Sequence, residues 1–572
     1  MAAQTKTALL SVSDKTGIVD FAHGLAELGY RILSSGGTAR TLRQAELEVS
    51  DVGELTAFPD ILGGRVRLLH PRLLAGVMAD RGIPEHIKDL EREDVPPIDI
   101  VAVNLYPLSE VLASGHLEKS EVMDFLDASG SALLRAAARN FHHVVALCDP
   151  RDYPSVLATL RERGGLTRER SQSLAAKAFY YISYYDSTVA QYLSAALERL
   201  PDEMIIGLKK AADLRYGENP HQQAALYNLS GARPWGLSAA ALLHGKPLNY
   251  NHYLGMDRAA ELAAEFQEPA CAIVKHANPA GAAVAERPGE AAKLAYKTDP
   301  AGCTGGVAAF NRPVDAEAAR VLAPEYLECI VAPEFSAEAL DILRPKKDVR
   351  LAALPSLLLS ANEIDIKTIS GAVLIQDKDH PKAPAQLKSV TRRAPTELEL
   401  IALDFAWRVA KHATTHTAVV ARGTATLGIG CGQTSRMDAV RLALVKSQER
   451  HPIVGGLLPQ VLASDGPLSP AHVKEAAQAG VSAVIQPGGS SDDGDCVRLC
   501  DELGVAMAFT GVRHFRHCPP RPRRRAGCRW PPSWPCAGRP TSTRCPASSS
   551  GTTRSSFSRT CSCAASDSSR RY

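Results

Sequence analysis

The sequence predicts an α/β protein with more than one domain, on three observations. Short apolar runs alternate with helical stretches over residues 7–150, which is typical of a parallel sheet covered by helices. A chain of 572 residues exceeds what one hydrophobic core usually serves. Hydrophobic residues make up 45% and charged residues 22%, as in soluble globular proteins. We therefore expect about two to four domains.

The elements of the first region follow from the apolar pattern in chain order. A strand is predicted at Thr7–Val12, a helix at 17–28, a second strand at 31–33 and a buried strand at 98–104. A long helical region is expected over 171–200. It carries aromatic side chains that we expect to pack rather than to bind a ligand, namely Phe179, Tyr180, Tyr181, Tyr184 and Tyr185. After a linker near residue 201, a larger α/β region is expected over about 205–517.

The segment ACAIVKHANPAG, residues 270–281, is the most informative part of the larger region. Its apolar start predicts a buried strand, which delivers Lys275 and His276 into a loop containing Asn278, Pro279 and Gly281. A cation beside an imidazole can remove a proton and stabilise the oxyanion that follows. The alternative is a solvated surface loop, because Lys is usually exposed.

Two loops of the first region suit a phosphate group. Residues 11–17 and 34–38 each follow a predicted strand and open a predicted helix. Backbone N–H groups and the helix dipole favour an anion there, and Lys15 adds a positive charge. Neither loop has the Walker A spacing, so a nucleoside triphosphate is not implied. Gly-rich turns of this kind are also common structural devices.

The net charge of +3 hides two different parts of the chain. Residues 518–572 hold 11 Arg, no Lys and one acid, Asp567, a balance of +10. The remaining 54 basic and 61 acidic residues give the body a balance of −7, which does not predict a nucleic-acid-binding body. Pro, Arg and Ser dominate the tail, so we expect it to be disordered. It could be a basic RNA-binding arm, a zinc site or, as the composition favours, a frame-shifted translation.

The sequence also indicates the cellular compartment. It has no run of about 18 apolar residues and no apolar signal segment at its start. Seven of the 13 cysteines are scattered through residues 1–517, as expected of reduced thiols. We expect a cytoplasmic protein.

A series of motifs carries a resemblance to a known family. They occur in the order SVSDKTG, SSGGT, GRVRLLHPR, NLYP, LRYGENPHQ, GKPLNYNHYLGMD, VKHANPAG, GIGCGQTSR, QPGG and FTGVRHFRH. The chain resembles the bifunctional family of 5-aminoimidazole-4-carboxamide ribonucleotide (AICAR) transformylase and inosine monophosphate (IMP) cyclohydrolase. The similarity covers essentially residues 7–517, and the following residues are foreign to the pattern.

The resemblance implies an architecture. A methylglyoxal-synthase-like cyclohydrolase domain is expected over 1–200, and a transformylase domain of duplicated cytidine-deaminase-like units without zinc over 201–517. The tail at 518–572 is outside this pattern. The resemblance also implies a homodimer whose transformylase sites use both subunits. AICAR and the cosubstrate 10-formyltetrahydrofolate are the expected ligands, with no metal or redox cofactor, no membrane and no nucleic acid.

The resemblance assigns the transformylase site. His276 is the expected base for the AICAR amine, and Lys275 is expected to stabilise charge and help protonate the departing folate nitrogen. Arg215 and Tyr216 are expected to hold nucleotide, since Arg suits a phosphate. Further expected binding residues are Asn278, Gly305, Glu328, Gln433, Arg513, Phe515 and His517.

This half departs from the family in three places. Residues 302–306 read GCTGG where the family usually has Ser-x-Phe-Gly-Gly, and residues 466–468 lack the family's aromatic run. A polar Asn or Asp of the family is also replaced near Gly423. The lost aromatic contacts weaken stacking by about 1 kcal/mol each, which leaves proton transfer and anion binding in place.

The resemblance also assigns the cyclohydrolase site. Tyr106 and Asp127 are expected in acid–base and orienting roles, with Arg67 and Arg139 at two positions where the family has Lys. Leu68 replaces a family Thr and Ser129 a family Gly. Arg keeps the positive charge but scarcely gives up a proton. The expected substrate-binding residues are Lys15, Ser35, Gly36, Gly37, Thr38, Arg65 and Asn104.

Three hypotheses follow. The first is a bifunctional enzyme that formylates AICAR and closes the ring to IMP. The second is a transformylase with a degenerate cyclohydrolase domain, which the Arg67, Leu68 and Arg139 set favours. The third is a non-catalytic nucleotide- or RNA-binding protein, which Lys275 and His276 argue against.

Overall fold

The computed structural model describes residues 6–59, 61–114, 119–194, 200–230, 235–355, 364–379, 387–449 and 458–514. The tail expected to be disordered, 518–572, lies outside these ranges, as do Phe515 and His517. Within the described ranges, none of the helices has both the length and the apolar character needed to span a membrane.

A parallel sheet organises the first region, as predicted. Its spatial order is β3-β2-β1-β4-β5, and each neighbouring pair is parallel. The strands are β1 Thr7–Val12, β2 Arg31–Ser34, β3 Ser50–Asp51, β4 Ile100–Asn104 and β5 Val145–Leu147.

Helices cover both faces of this sheet because the side chains of each strand alternate. In β1, Ala8 and Leu10 face one core and Leu9 faces the other. The long helix predicted over 171–200 occupies 168–194, beginning slightly earlier. The helices are α1 Ile18–Glu27, α2 Gly36–Gln44, α3 Val52–Thr56, α4 Pro71–Met78, α5 Pro84–Arg92, α6 Leu108–Ser114, α7 Lys119–Asp124, α8 Ala128–Arg139, α9 Tyr153–Arg163 and α10 Arg168–Ser194.

The second region is built on one sheet of 12 strands, flanked by two separate hairpins. The hairpins pair β6 Leu208–Leu214 with β7 Ala224–Leu229, and β14 Ile364–Ile369 with β15 Ala372–Asp377. The large sheet contains β8 Ala241–His244, β9 Ala270–Lys275, β10 Asn278–Val284, β11 Gly306–Phe310, β12 Leu327–Ala332, β13 Arg350–Ala353, β16 Lys388–Ser389, β17 Ala418–Arg422, β18 Ala425–Gly430, β19 Gln460–Ser464, β20 Ala483–Gln486 and β21 Ala506–Phe509.

The large sheet repeats one topology in its two halves. Its order is β16-β21-β20-β19-β17-β18-β10-β9-β11-β12-β13-β8. Each half begins with a hairpin, and a third strand pairs antiparallel with the outer strand of that hairpin. Two more strands then pair parallel, and an antiparallel strand forms the edge. The halves meet where β10 pairs with β18. The expected duplication is therefore present, while its likeness to cytidine deaminase stays a prediction.

The helices repeat in the same way. One long helix precedes each hairpin and packs in a shared core on one face, and the remaining helices cover the other face. These helices are α11 Tyr250–Ala263, α12 Pro288–Thr298, α13 Pro300–Cys303, α14 Ala316–Leu322, α15 Ala337–Leu343, α16 Glu397–Lys411, α17 Arg436–Glu449, α18 Pro470–Gln478 and α19 Asp493–Leu503.

The two hairpins place His276 and Gly423 at equivalent corners. Lys275 pairs with Asn278 across the first turn, and Arg422 pairs with Ala425 across the second. The first corner residue of each turn has a positive φ, 50° at His276 and 54° at Gly423. The expected loop after Lys275 was therefore wrong, because Asn278, Pro279 and Gly281 all belong to β10.

Candidate functional site

The carboxyl ends of β2, β1 and β4 form the first candidate site. These strands are neighbours in the sheet, and the chain leaves β1 toward β2 on one side while β4 lies on the other. Ligands of open α/β sheets bind in the crevice at such a point. The loops predicted to bind phosphate both open here, at 13–17 after β1 and at 35–38 after β2.

The start of α2 is a cationic site. The Arg67 Nη1 atom lies 2.5 Å from where a Cβ would stand on Gly36, so a side chain there would displace the guanidinium. Lys15 Nζ lies 3.8 Å from the corresponding point on Gly37. Two cations thus flank N–H groups of the first helical turn, where the dipole favours an anion. The same residues can hold a phosphate group.

Ser35 and Thr38 fix this turn to the sheet. Ser35 is the buried N-cap residue of α2, with extended backbone. The Thr38 hydroxyl accepts a hydrogen bond from the Val12 N–H and donates one to the Val12 carbonyl, each at 3.0 Å. The beginning of α2 is thereby held against the end of β1.

Asn104 clamps the loop that carries Lys15. Its Oδ1 accepts hydrogen bonds from the N–H groups of Ser13, at 2.6 Å, and Asp14, at 2.8 Å. Its Nδ2 donates to the Asp14 carbonyl at 3.0 Å. The side chain is buried, so the expected binding residue shapes the loop from below.

Tyr106 and Asp127 lie on segments that α10 supports. The Tyr106 ring stacks on Phe125 with centroids 5.2 Å apart, and the Tyr106 side chain is exposed. Tyr181 accepts a hydrogen bond from the Leu105 N–H at 2.9 Å, and Tyr185 accepts one from the Asp127 N–H at 3.1 Å. These two tyrosines therefore do more than pack, because they hold the backbone beside both expected catalytic residues.

The Asp127 carboxylate caps α8. Its Oδ1 accepts hydrogen bonds from the Gly130 N–H at 2.7 Å and from the Ser129 hydroxyl at 3.1 Å. Ser129 stands where the family has Gly, and its hydroxyl contacts the carboxylate that we expect to be catalytic. Arg65 is exposed and pairs at 2.7 Å with Asp124, three residues before Asp127.

Arg139 is not brought to this carboxylate. It ends α8, and Asp127 precedes the first residue of the same helix, so about 18 Å of helix axis separates them. Arg139 lines a cavity of about 560 Å³ with Asp80, His86 and His142. Arg67 instead lines a cavity of about 600 Å³ beside α2. Leu68, the replacement for a family Thr, is buried in the core.

The second candidate site surrounds the first hairpin of the large sheet. Lys275 ends β9, and the turn at His276 and Ala277 has φ of 50° and 59°. Both central residues of a type I′ turn need this left-handed backbone, which normally selects Gly or Asn. His276 is exposed and makes no side-chain hydrogen bond within the described ranges.

The Lys275 ammonium is tied to the start of β11. It donates a hydrogen bond to the Thr304 carbonyl at 2.5 Å. Gly305 follows with φ of 74°, and a Cβ there would lie 3.9 Å from Lys275 Nζ. The Gly305 N–H donates to the Tyr326 carbonyl at 2.7 Å, which joins this turn to the strand that bears Glu328.

A hydrogen-bonded chain links Glu328 to Tyr216. His252 Nε2 lies 3.2 Å from Glu328 Oε2. The Asn249 N–H donates to His252 Nδ1 at 3.0 Å, and Asn249 Nδ2 donates to the Tyr216 hydroxyl at 3.1 Å. The Arg215 guanidinium lies over the Tyr216 ring, 5.9 Å from its centroid. Residues from three distant segments therefore meet here.

The electrostatics keep Glu328 charged. The hydrogen bond from His252 lowers the pKa of Glu328, burial opposes this, and the charges of Arg350 and Lys275 lower it further. The carboxylate is therefore ionised at neutral pH. It can accept hydrogen bonds from an amide or hydroxyl of a ligand.

The second half of the sheet adds a third side of this site. Asn278 Oδ1 accepts a hydrogen bond from the Thr414 N–H at 2.9 Å. The Gly432 N–H donates to the Thr414 carbonyl at 2.7 Å, and the Gln433 carbonyl accepts from the His416 N–H at 3.1 Å. The expected binding residues Asn278 and Gln433 thus lie at the seam between the halves.

Arg513 lies far from Lys275 within one chain. It follows β21, which is six positions from β9 in the sheet order, or about 29 Å at a strand spacing of 4.8 Å. It is exposed, next to His514, whose Nδ1 lies 2.7 Å from Asp379 Oδ2. Phe515 and His517 lie outside the described residues.

Sequence reasoning missed His252, Asn249, Tyr181 and Tyr185. Each supports an expected site residue from beneath, and the first two lie in the motif GKPLNYNHYLGMD. An Asn three residues before a His, at the start of a helical pattern, signals a capping box. No group of three or more His, Cys, Asp or Glu side chains suited to a metal ion occurs in the part of the chain that the structure describes.

Comparison with known proteins gives family matches in both regions. A family described as "AICARFT/IMPCHase bienzyme" matches residues 137–446, and an "MGS-like domain" family matches residues 17–125. The chain is 43% identical over 520 residues to the bifunctional purine biosynthesis protein PurH of Persephonella marina, covering 90% of this chain and 100% of that protein.

Two further relatives carry the same description, bifunctional purine biosynthesis protein PurH. The protein from Anoxybacillus flavithermus is 42% identical over 516 residues, covering 90% of this chain and 100% of its own length. That from Caldicellulosiruptor bescii is 43% identical over 518 residues with the same coverage. A solved structure described as "Crystal structure of ForH" is 36% identical, with a TM-score of 0.30 over 33% of this chain and 100% of that chain.

Proposed function

The chain belongs to the AICARFT/IMPCHase bienzyme family, and on this premise we propose which of its residues perform the two reactions. The enzyme is an AICAR transformylase and IMP cyclohydrolase of purine biosynthesis. The formyl donor is a formylated folate, which we propose to be 10-formyltetrahydrofolate. The assignment of residues is supported by two observations. Lys275, the neighbour of His276 in the chain, lies beside Gly305 and its charge lowers the pKa of Glu328. His252 and Asn249 then connect Glu328 to Tyr216.

Formyl transfer begins when the exocyclic amine of AICAR attacks the formyl carbon. His276 accepts a proton from that amine, and the carbonyl oxygen becomes an oxyanion. The Lys275 ammonium stabilises this charge, since a Lys ammonium has three N–H donors and, among the described residues, uses one of them on the Thr304 carbonyl. The oxyanion then reforms the carbonyl, the bond to the folate nitrogen breaks, and Lys275 helps deliver the proton that this nitrogen takes.

The remaining residues of this site hold the nucleotide. Arg215 is exposed and positively charged, so it suits the phosphate group. Glu328 is ionised and accepts hydrogen bonds from the carboxamide or ribose. Asn278 of the first half and Gln433 of the second half close the site at the seam of the sheet.

Ring closure belongs to the first site. The carboxamide nitrogen of the formylated product attacks the formyl carbon, with Asp127 accepting its proton. Arg67 stabilises the oxyanion and also faces the phosphate-binding start of α2. Asp127 returns the proton to the oxyanion, which becomes a hydroxyl. Tyr106 donates the proton with which this hydroxyl leaves as water, and the Tyr106 oxygen takes a proton back from the other nitrogen on that carbon as the C=N bond forms. We give Arg139 no step, because α8 carries it about 18 Å from Asp127.

We propose that the protein acts in the cytoplasm as a homodimer. Arg513 and Lys275 lie six sheet positions apart in one chain, so a site that uses both needs a second subunit. Apolar side chains are exposed on the hairpins that flank the large sheet and on its edge strand β8: Leu208, Tyr227, Leu229, Leu242, Leu243, Ile366, Ile369, Val373 and Leu374. Surfaces of this kind mark protein interfaces. The proposed domains are 1–200, 201–517 and the tail 518–572.

A single pair of assays tests the assignment. His276→Ala is expected to lose folate release from AICAR and formylfolate by at least about 100-fold, because general-base catalysis contributes that much. The same variant is expected to close the ring of the formylated intermediate at the wild-type rate, since Asp127 is the N-cap residue of α8 in the first region of the chain. Wild-type folate release by His276→Ala would rule out the proposed base. If the unmodified protein closes the ring no faster than an enzyme-free control, the protein is a transformylase without cyclohydrolase activity.

A further inference from the structure

His252 is buried between two polar partners. Only 3% of its side chain is exposed, and it occupies the third position of α11. Its backbone N–H donates to Asn249 Oδ1 at 2.9 Å, while its Nδ1 accepts from the Asn249 N–H at 3.0 Å. This reciprocal pair is a capping box in which a His replaces the usual Glu or Gln.

The capping box decides which nitrogen of His252 carries the proton. A backbone N–H can only donate, so Nδ1 must present a lone pair. The neutral ring then carries its hydrogen on Nε2, which points to Glu328 Oε2 at 3.2 Å. The helix cap thus turns His252 into a fixed donor toward the carboxylate.

Glu328 needs such a donor because of where it lies on β12. Gly306 is paired with Leu327 and Val307 with Cys329, so Glu328 is the extra residue of a β-bulge. A bulge redirects its side chain away from the regular alternation of the strand. Glu328 is only half-buried, and His252 is its hydrogen-bond donor within the described residues.

We infer that His252 is a positioning residue, which holds the Glu328 carboxylate in the orientation that receives the nucleotide. The inference rests on the proposed role of Glu328 and adds to it a residue that itself does not touch substrate. The fixed tautomer favours an ionised carboxylate, and the link through Asn249 to Tyr216 keeps both binding residues in register. Loss of this donor should weaken nucleotide binding and spare the chemistry at His276.

The test separates the cap from the donor. Glu at position 252 can still accept the Asn249 N–H, but it offers Glu328 no hydrogen and repels it. Gln can do both, accepting with its oxygen and donating with its nitrogen. We expect His252→Glu to raise the KM for AICAR about tenfold or more with kcat nearly unchanged, and His252→Gln to stay close to wild type.

The chain offers a matched control at α18. There the Ser469 N–H donates to His472 Nδ1 at 2.8 Å, so His472 also closes a capping box as the third residue of its helix. His472→Glu is expected to leave the KM for AICAR unchanged. An equal rise in both variants would overturn the inference, because it would come from altered caps in general. An unchanged KM in His252→Glu would overturn it as well.

A double-mutant cycle covers the case in which His252→Glu does not fold. His252→Leu and Glu328→Gln are combined, and the KM for AICAR is measured in each folded variant. Residues that act through one another give a double variant little worse than Glu328→Gln alone, whereas multiplied effects would contradict the inference. The His276→Ala variant separates failure of the proposed function from failure of this inference. Full formyl transfer by His276→Ala would refute the proposed base, but it would leave the measured coupling between His252 and Glu328 intact.

Discussion

At the scale of single residues, the proposed catalytic base is held in a backbone conformation that a residue with a Cβ disfavours. His276 has φ of 50°, and its counterpart in the second hairpin is Gly423 with φ of 54°. The left-handed region costs a residue with a Cβ about 1–2 kcal/mol. The first hairpin therefore bears a strain that the second hairpin avoids, at the position where we propose that the imidazole acts.

This strain predicts a separation of stability from activity. His276→Ala and His276→Gly both remove the imidazole and should abolish formyl transfer equally. Gly relieves the left-handed strain, so we expect His276→Gly to be more stable than His276→Ala by about 1 kcal/mol in urea unfolding. The measurement is the free energy of unfolding of the two variants under identical conditions.

The equivalent corner provides the control. Gly423→Ala should destabilise the protein by at least a similar amount, because a Cβ there would also lie 3.2 Å from Leu458 Cδ1. It should retain formyl transfer to the extent that the protein remains folded. An Ala variant of His276 that is as stable as the Gly variant would contradict the account of the strain.

Part of this corner could be predicted from the sequence. The strand at Ala270–Lys275 follows from its apolar run, and Lys275 and His276 do stand at its end. The turn could not be predicted, because His-Ala carries none of the Gly or Asn signals of a left-handed pair. Asn278, Pro279 and Gly281 look like loop residues, yet they form a strand whose register shifts between Pro279 and Gly281. Such a shift tolerates Pro and Gly within a sheet.

At the scale of elements, the start of α16 is fixed by a buried carboxylate. Glu399 accepts two hydrogen bonds from the Arg393 guanidinium, at 2.8 and 3.0 Å, and one from the Ser482 hydroxyl at 2.6 Å. It also closes the capping box with Thr396. Burial raises the pKa of Glu399, but these hydrogen bonds lower it more, from 4.5 to about 2.

The lowered pKa predicts a pH-dependent loss of stability. Because the folded pKa lies below the unfolded one, the contribution is complete above about pH 5 and disappears as the pH falls toward 2. Glu399→Gln is expected to cost about 3 kcal/mol at pH 7 and progressively less below pH 5. Urea unfolding of the wild type and the variant across this range gives the difference.

A neighbouring acid in the same helical turn serves as the control. Glu397 is exposed, so Glu397→Gln should change stability by no more than about 0.5 kcal/mol at either pH. A Glu399→Gln penalty that stays constant as the pH falls would show that the charge of Glu399 contributes nothing.

Elements were predictable where their pattern was local. β1 has the predicted bounds, and α1 lies one residue inside its predicted range at each end. The hydrogen bond from His252 to Glu328 and the support of Asp127 by Tyr185 were not predictable, because 76 and 58 residues separate the partners. Only the three-dimensional fold brings such pairs together.

At the scale of the whole molecule, the two sites that we propose belong to separate sheets, and we propose that one of them extends beyond a single chain. Of the residues proposed for the cyclohydrolase site, Lys15, Ser35 and Asn104 lie at the carboxyl ends of the parallel strands β1, β2 and β4. Of the residues proposed for formyl transfer, Lys275 ends β9 in the first half of the large sheet, and Arg513 follows β21, six positions away. The sequence resemblance predicted a shared site, and the sheet order gives a physical reason for one.

The shared site predicts complementation between inactive variants. His276→Ala and Arg513→Ala each damage a different contribution to every transformylase site. Unfolding and refolding an equal mixture should produce mixed dimers in which one of the two sites is intact, so activity should return to about one quarter of wild type. Folate release is measured before and after mixing.

Refolding each variant alone provides the control and should restore nothing. Activity that stays at the level of the separate variants after mixing would place both residues in the same chain's site. A monomeric mass in sedimentation would contradict the homodimer directly.

The two equivalent hairpins also indicate that the large sheet arose by duplication. A sheet whose halves repeat one order is what a segment copied in tandem leaves behind. The second copy has Gly423 at this corner, the residue type that the left-handed backbone prefers, whereas the first copy has the proposed catalytic base. The strained backbone at His276 is therefore a structural trace of its proposed role, and the duplicated hairpin supplies the unstrained reference within the same chain.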